Sequence, residues 1–192
     1  MTADDTTGSR KRSRLVEIVK ARSFQEGPEM KLASGKTSTF YFNMKPTMLD
    51  PEGAALIADL MLDTMGDETV DLVGGLEMGA VPIATAIAAV SQLQGRPVGA
   101  FFVRKQAKEH GTQSLVEGLV RGDTMQGKRI VVVEDVTTTG GSALKAAKAL
   151  AAEGATIVRV LTIVDRLDGA ADAFREAGLD FVPILTLSDF RS

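Results

Sequence analysis

Over most of the chain, short unbroken apolar runs alternate with segments of helical period. Leu72-Val73, Val98 to Val103, Ile130 to Val133, Ile157 to Val164 and Phe181 to Leu187 lack polar alternation and are too short to be helices. Such runs predict strands covered on both faces. Between them, helical spacing predicts helices over about Val81 to Gln94, Ser142 to Glu153 and Ala170 to Ala177. Gly154 and Gly178 stand where a left-handed cap would close two of them. The alternation predicts an α/β fold with a central, mostly parallel five-stranded sheet flanked by helices. Ligands of such sheets bind beyond the C-terminal ends of the strands.

Upstream the pattern differs. Leu15, Ile18 and Val19 are spaced for a short helix over Arg10 to Arg22, with Asp4 to Ser9 reading as a frayed tail. Met30 to Leu32 and Thr39 to Asn43 predict two strands around a Ser34-Gly35 turn. Asp50-Pro51 supplies an N-cap and a proline at the first helical position, and Leu56, Ile57, Leu60, Met61 and Met65 continue that helix on one face. Residues 1–192 read as one domain, with an N-terminal helix and hairpin over about 1–50 and an α/β core over about 51–187.

Composition narrows the chemistry. Lys and Arg number 22 against 25 Asp and Glu, a net charge of −3, so no basic excess points to nucleic acid. The chain has no cysteine and a single histidine, which excludes disulfides, thiol nucleophiles and multi-histidine metal sites. No apolar stretch is long enough to span a bilayer, and Met1 to Arg14 is polar, unlike a secretory signal. The expectation is a soluble cytoplasmic protein working with carboxylates, amines, hydroxyls and backbone amides.

Three segments carry candidate chemistry. In the first, the strand Ile130 to Val133 runs into Glu134 and Asp135, then Val136, Thr137, Thr138, Thr139, Gly140, Gly141 and Ser142 open a helix. Successive amides at a helix start make a cup for a phosphate monoester, and glycines allow close approach. The adjacent acids suit sugar hydroxyls or a metal ion. In the second, Arg104, Lys105, Lys108 and His110 follow a strand, as a solvated loop or as partners for a polyanion such as diphosphate. In the third, Phe40, Tyr41 and Phe42 precede Asn43, either as the core of a small hairpin or as a face for a planar base. Gly122 to Lys128 imitates a nucleotide-binding loop, but Arg129 follows where Ser or Thr is needed, and the segment precedes a strand instead of following one.

Taken in order, these motifs resemble the type I phosphoribosyltransferases, and within them the orotate phosphoribosyltransferases. Glu134-Asp135 and Thr137 to Ser142 resemble the phosphoribosyl-diphosphate signature. Arg104-Lys105-xx-Lys108-x-His110-Gly111 and Ser34-Gly35…Phe40-Tyr41-Phe42-Asn43 resemble the orotate branch. The resemblance implies the type I fold with a small N-terminal hood and a flexible loop. It also implies transfer of a phosphoribosyl group from 5-phosphoribosyl 1-diphosphate (PRPP) to orotate. Thr138 to Ser142 would hold the 5′-phosphate, with Val136 and Thr137 beside it. Glu134 and Asp135 would hold the ribose, and Arg104, Lys105, Lys108 and His110 would cover the diphosphate. Lys105, Lys108, His110, Glu134 and Asp135 would be the catalytic set. Phe40, Tyr41, Phe42, Thr138 and Arg166 would bind orotate, Arg166 reading its carboxylate. Mg²⁺ would be held mainly through PRPP, with Asp135 reaching it via water. The resemblance also implies a homodimer in which loop 104–116 acts across the interface. Two positions depart from the pattern, Ala33 and Gly79, where relatives often carry lysine, so the diphosphate is expected to rely on the loop, Mg²⁺ and the backbone amides of Gly75 to Ala80, with Lys36 or Lys45 as candidate substitutes. A phosphoribosyltransferase for another base, or a PRPP-sensing regulator without activity, are the alternatives.

Overall fold

The computed structural model describes residues 3–31, 37–106 and 115–191. Helix α1 (Ala3–Arg22) leads into an antiparallel pair, β1 (Phe24–Lys31) and β2 (Thr37–Phe42). A short α2 (Lys45–Met48) and α3 (Pro51–Met65) follow. The core continues as β3 (Leu72–Leu76), α4 (Ala80–Leu93), β4 (Gly99–Val103), β5 (Val116–Glu117) and β6 (Arg129–Thr137). It closes with α5 (Gly141–Ala152), β7 (Thr156–Asp165), α6 (Ala170–Glu176), β8 (Phe181–Thr186) and a 3-10 turn over Leu187–Asp189.

The main sheet has the order β5-β4-β3-β6-β7-β8. Its five parallel strands are the five apolar runs. The sixth strand, which corrects the expected count of five, is β5, antiparallel to β4 through Phe102 opposite Glu117 and Val103 opposite Val116. Two residues are too few to leave a periodicity. Burial on both faces is visible along β6: Val131 and Val133 join the core under α3 and α4, while Ile130 and Val132 join the core under α5 and α6.

Several boundaries move, each for a local reason. Helix α1 starts at Ala3, so the expected tail over Asp4 to Ser9 is helical. Buried Leu15, Ile18 and Val19 and ion pairs from Lys11, Arg12 and Arg14 fix its downstream turns, and extension outward from an anchored helix is cheap. Strand β1 begins at Phe24, whose ring lies 4.9 Å from Phe42 and 5.4 Å from Phe190. It passes Gly27-Pro28 by a register shift between Glu26 and Met30. Strand β3 runs through Gly74 and Gly75 instead of ending there, because a Cβ on Gly74 would overlap the Phe101 carbonyl and one on Gly75 the Val133 carbonyl. The cap at α3 is as expected, with Asp50 accepting from the Gly53 amide at 3.0 Å.

The C-terminal segment is pinned to the hairpin. Asp189 caps the 3-10 turn by accepting from the Thr186 amide at 2.8 Å and pairs with Arg12 at 2.7 Å. Phe190, 5% exposed, packs edge-on against Phe42 at 5.0 Å. Phe190→Ala should therefore cost about 3 kcal/mol of stability, read as a lowered urea midpoint with an unchanged slope.

Candidate active site

Strand β6 carries its acids to the C-terminal edge of the sheet and stays paired with β7 as far as Thr137 opposite Asp165. Beyond it, Thr138 to Gly140 turn into α5. Gly140 has φ of +80°, a conformation that L side chains adopt at a cost, and a Cβ there would stand 3.0 Å from the Phe174 ring. The turn and the first residues of α5 line a cavity of about 340 Å³ with Glu134 at its base. The first N–H groups of a helix have no intrahelical acceptor, so the cup presents donors and the positive helix end to an anion.

A second cavity, of about 550 Å³, shares Glu134, Val136 and Ser142 with the first. Asp135, Glu77, Gly79, Lys45 and Lys105 also line it. Asp135 Oδ1 accepts from the Val136 amide at 2.9 Å. Glu134 is 8% exposed, and its Oε2 has no hydrogen-bond partner. Burial, followed by the neighbouring Asp135 charge, pushes its carboxyl well above the usual value of 4.5. Gly79 is in close contact with this pair: a Cβ on it would lie 2.6 Å from Asp135 Oδ1 and 3.0 Å from Glu134 Oε1. No lysine fits at residue 79 while the acids stand where they do. The Glu77–Met78 peptide beside it is cis.

The cationic loop is placed only in part. Glu77 Oε1 accepts from the Lys105 amide at 3.0 Å, tying the root of the loop to the cavity. Lys105 lines that cavity, whereas Arg104 turns toward Glu117, 3.9 Å away. Lys108 and His110 lie outside the described residues.

Of the three aromatics, Phe40 and Phe42 are buried with Phe24 and Phe190 as a hairpin core, and Tyr41 is exposed. Arg166 is not a surface residue. It is 6% exposed, donates from Nη2 to Ser38 Oγ at 3.2 Å and lies 4.5 Å from the Phe40 ring centroid. Its Nε is 3.4 Å from Asp168 Oδ2 but makes no hydrogen bond. Leu167 next to it has φ of +61°, in a region costing roughly 1 kcal/mol or more for an L residue. Such conformations cluster at functional sites.

The geometry therefore places the donor-lined turn into α5, the Glu134–Asp135 pair with Glu134 buried, and an arginine against a hairpin at one sheet edge. The chain is similar to known proteins. The phosphoribosyl transferase domain family matches residues 47–174. An orotate phosphoribosyltransferase of Rhodopseudomonas palustris is 59% identical over 95% of this chain and 97% of its own length. The crystal structure of Mycobacterium tuberculosis orotate phosphoribosyltransferase with Fe(III) dicitrate superposes with a TM-score of 0.82 at 41% identity, covering 95% of this chain and 99% of that one. The chain belongs to the orotate phosphoribosyltransferases. The same M. tuberculosis enzyme in complex with PRPP matches with a TM-score of 0.75 at 36% identity, over 94% of this chain and 91% of that one.

One residue of this family member, Glu77, is not singled out by the sequence reading. Glu77 is one residue past β3, at the strand end where ligands are expected, and position alone could have flagged it. Lys45, one of the two lysines expected as substitutes for those absent at 33 and 79, is brought to the cavity by α2, whereas Lys36 lies outside the described residues. The raised Glu134 carboxyl has a thermodynamic consequence. Between 4.5 and its raised value the folded chain binds more protons than the unfolded one, so stability falls as pH rises through that window. Glu134→Gln should remove this loss. By urea unfolding of ligand-free protein, the variant should gain on the parent toward about pH 8 and converge with it below the usual carboxyl value.

Proposed function

We propose that this chain transfers the 5-phosphoribosyl group of PRPP to orotate, giving orotidine 5′-monophosphate and diphosphate. The observation that carries the reading is the meeting of cup, acid pair and buried arginine at one edge, in a chain whose relatives are orotate phosphoribosyltransferases. The Thr138 to Ser142 turn receives the 5′-phosphate on its amides. Glu134 and Asp135 accept from the ribose hydroxyls and face the sugar as it gains positive charge. The bond from the anomeric carbon to diphosphate oxygen breaks with its electron pair leaving on diphosphate. The bond to orotate N1 forms, and the N1 proton is released. Lys105, with Arg104, Lys108 and His110 of the same loop, neutralises the departing group and excludes water. Orotate lies beside Arg166 and the hairpin it packs against, near Tyr41, the Phe40 and Phe42 backbone and Thr138.

The donor set fits a divalent ion that the substrate mostly supplies with ligands. Among the described residues no group of three or more metal-ligating side chains exists. The unpartnered Glu134 Oε2 and the adjacent Asp135 offer oxygen acceptors at the cavity. Mg²⁺ keeps waters and favours substrate phosphates, so Asp135 would hold it through water. When bound it supplies charge neutralisation to the diphosphate.

We further propose a cytoplasmic homodimer in which loop 104–116 completes the neighbouring subunit's site. Among the described residues no helix is long and apolar enough to cross a membrane.

Diphosphate release over a panel of bases with PRPP and Mg²⁺ tests the activity, and orotate should be the base used. Arg166→Ala should lose roughly 30-fold or more in orotate specificity, since an unpaired buried carboxylate costs on the order of 2–5 kcal/mol, with PRPP affinity little changed. Equal losses for both substrates would take Arg166 out of the base subsite. Subunit mixing tests the shared site: Lys105→Ala chains combined with Asp135→Asn chains should recover activity in mixed dimers. No recovery in verified mixed dimers would mean that each site is built within one chain.

A further inference from the structure

The base subsite holds a second cation that no motif points to. The guanidinium carbon of Arg191 lies 4.4 Å from the centroid of the Phe40 ring, the same ring that Arg166 approaches at 4.5 Å. Two guanidiniums against one benzene ring repel each other, and the Arg191 charge works against that of Arg166. Among the described residues each has one anion near it, neither of them hydrogen-bonded to the arginine, and Arg191 is about half exposed. Asp168 reaches Arg166 at 3.4 Å without a hydrogen bond, and Glu26, itself exposed, reaches Arg191 at 3.9 Å. The other Arg191 contact is a long one, 3.4 Å to Thr39 Oγ1. Arg166 Nε is left buried without an acceptor.

Arg191 is not there by the wandering of a chain end. The capped 3-10 turn, the Arg12–Asp189 pair and buried Phe190 fix the backbone up to the residue before it. The segment thus delivers a cation to the hairpin that also carries Tyr41. Two positive charges held at one ring favour an anion beside them, and a guanidinium matches the planar fork of a carboxylate.

We infer that Arg191 is a second specificity-determining residue of the base subsite, sharing with Arg166 the recognition of the carboxylate on the pyrimidine. This rests on the reading of Arg166 as the carboxylate receptor. Phe40 is then the platform that holds both cations in place, not the surface on which the base stacks.

The test uses the full chain with Arg191→Gln, Arg191→Lys and Arg166→Ala. It measures KM and kcat for orotate, KM for PRPP, inhibition by uracil, and melting temperature with and without orotate. Arg191→Gln keeps most of the stem over Phe40 and removes the charge. Its orotate KM should rise about 10-fold, the loss of one charge-assisted contact, with kcat and PRPP KM little changed. Uracil, which lacks the carboxylate, should inhibit as before. Arg191→Lys should recover part of the loss. The orotate-induced rise in melting temperature should shrink while the unliganded value holds, and a residue that merely fastens the hairpin would do the reverse. An unchanged orotate KM, or an equal loss for uracil, overturns the inference. If Arg166→Ala also leaves orotate recognition intact, the base subsite itself is wrong. If Arg166→Ala destroys it and Arg191→Gln does not, only the role of Arg191 falls.

Discussion

The pairing of β6 with β7 is the constraint on which the site depends. It begins with Ile130 opposite Ile157, takes up one extra β7 residue so that Val131 faces Arg159, and then runs to Thr137 opposite Asp165. The ladder continues one step further, with the Arg166 amide donating to the Thr137 carbonyl at 3.0 Å. A slip of one residue would turn every later side chain of a strand to the other face. The acids and the cup come from one strand and the arginine from the next, so their mutual placement is a property of this register. Burial of Val131, Val133, Leu161 and Ile163 in one core, and of Ile130, Val132 and Val160 in the other, makes any slip expensive.

Around that frame the chain arranges charge by burial more than by ion pairing. Glu134 sits without a partner for one oxygen, Thr137 Oγ1 is in the same position, and Arg166 Nε makes no hydrogen bond. In a settled core such groups are satisfied. Here all three lie at the edge where substrate is expected. The surface pairs, such as Arg14 with Glu52 or Arg159 with Asp180, lie on other faces and serve to fasten helices and strands.

The fold was legible where one element alone determined its own pattern. Continuous apolar runs gave the five parallel strands, and Asp50-Pro51, Gly154 and Gly178 marked helix ends that the structure contains. The strand-to-helix turn that lines the first cavity was legible for the same reason, since acids, threonines and glycines are contiguous from Glu134 to Ser142. What escaped depends on contacts between distant segments. The early start of β1 follows from Phe24 meeting Phe42 and Phe190, and β5 exists only because β4 lies beside it. Arg191 is separated from Phe40 by nearly the whole chain, and no spacing rule joins them.

The missing side chain at Gly79 bears on how such a site can change over time. Asp135 Oδ1 occupies the place that a Cβ would need, so residues 79 and 135 compete for one volume. A substitution at 79 made first would require the Asp135 carboxylate to turn aside. The same substitution made after a shift of the 134–135 turn would meet open space. Effects at the two positions are therefore non-additive, and the order of replacement decides which is tolerated. The side chain allowed at residue 79 is thus tied to the position of a carboxylate on β6.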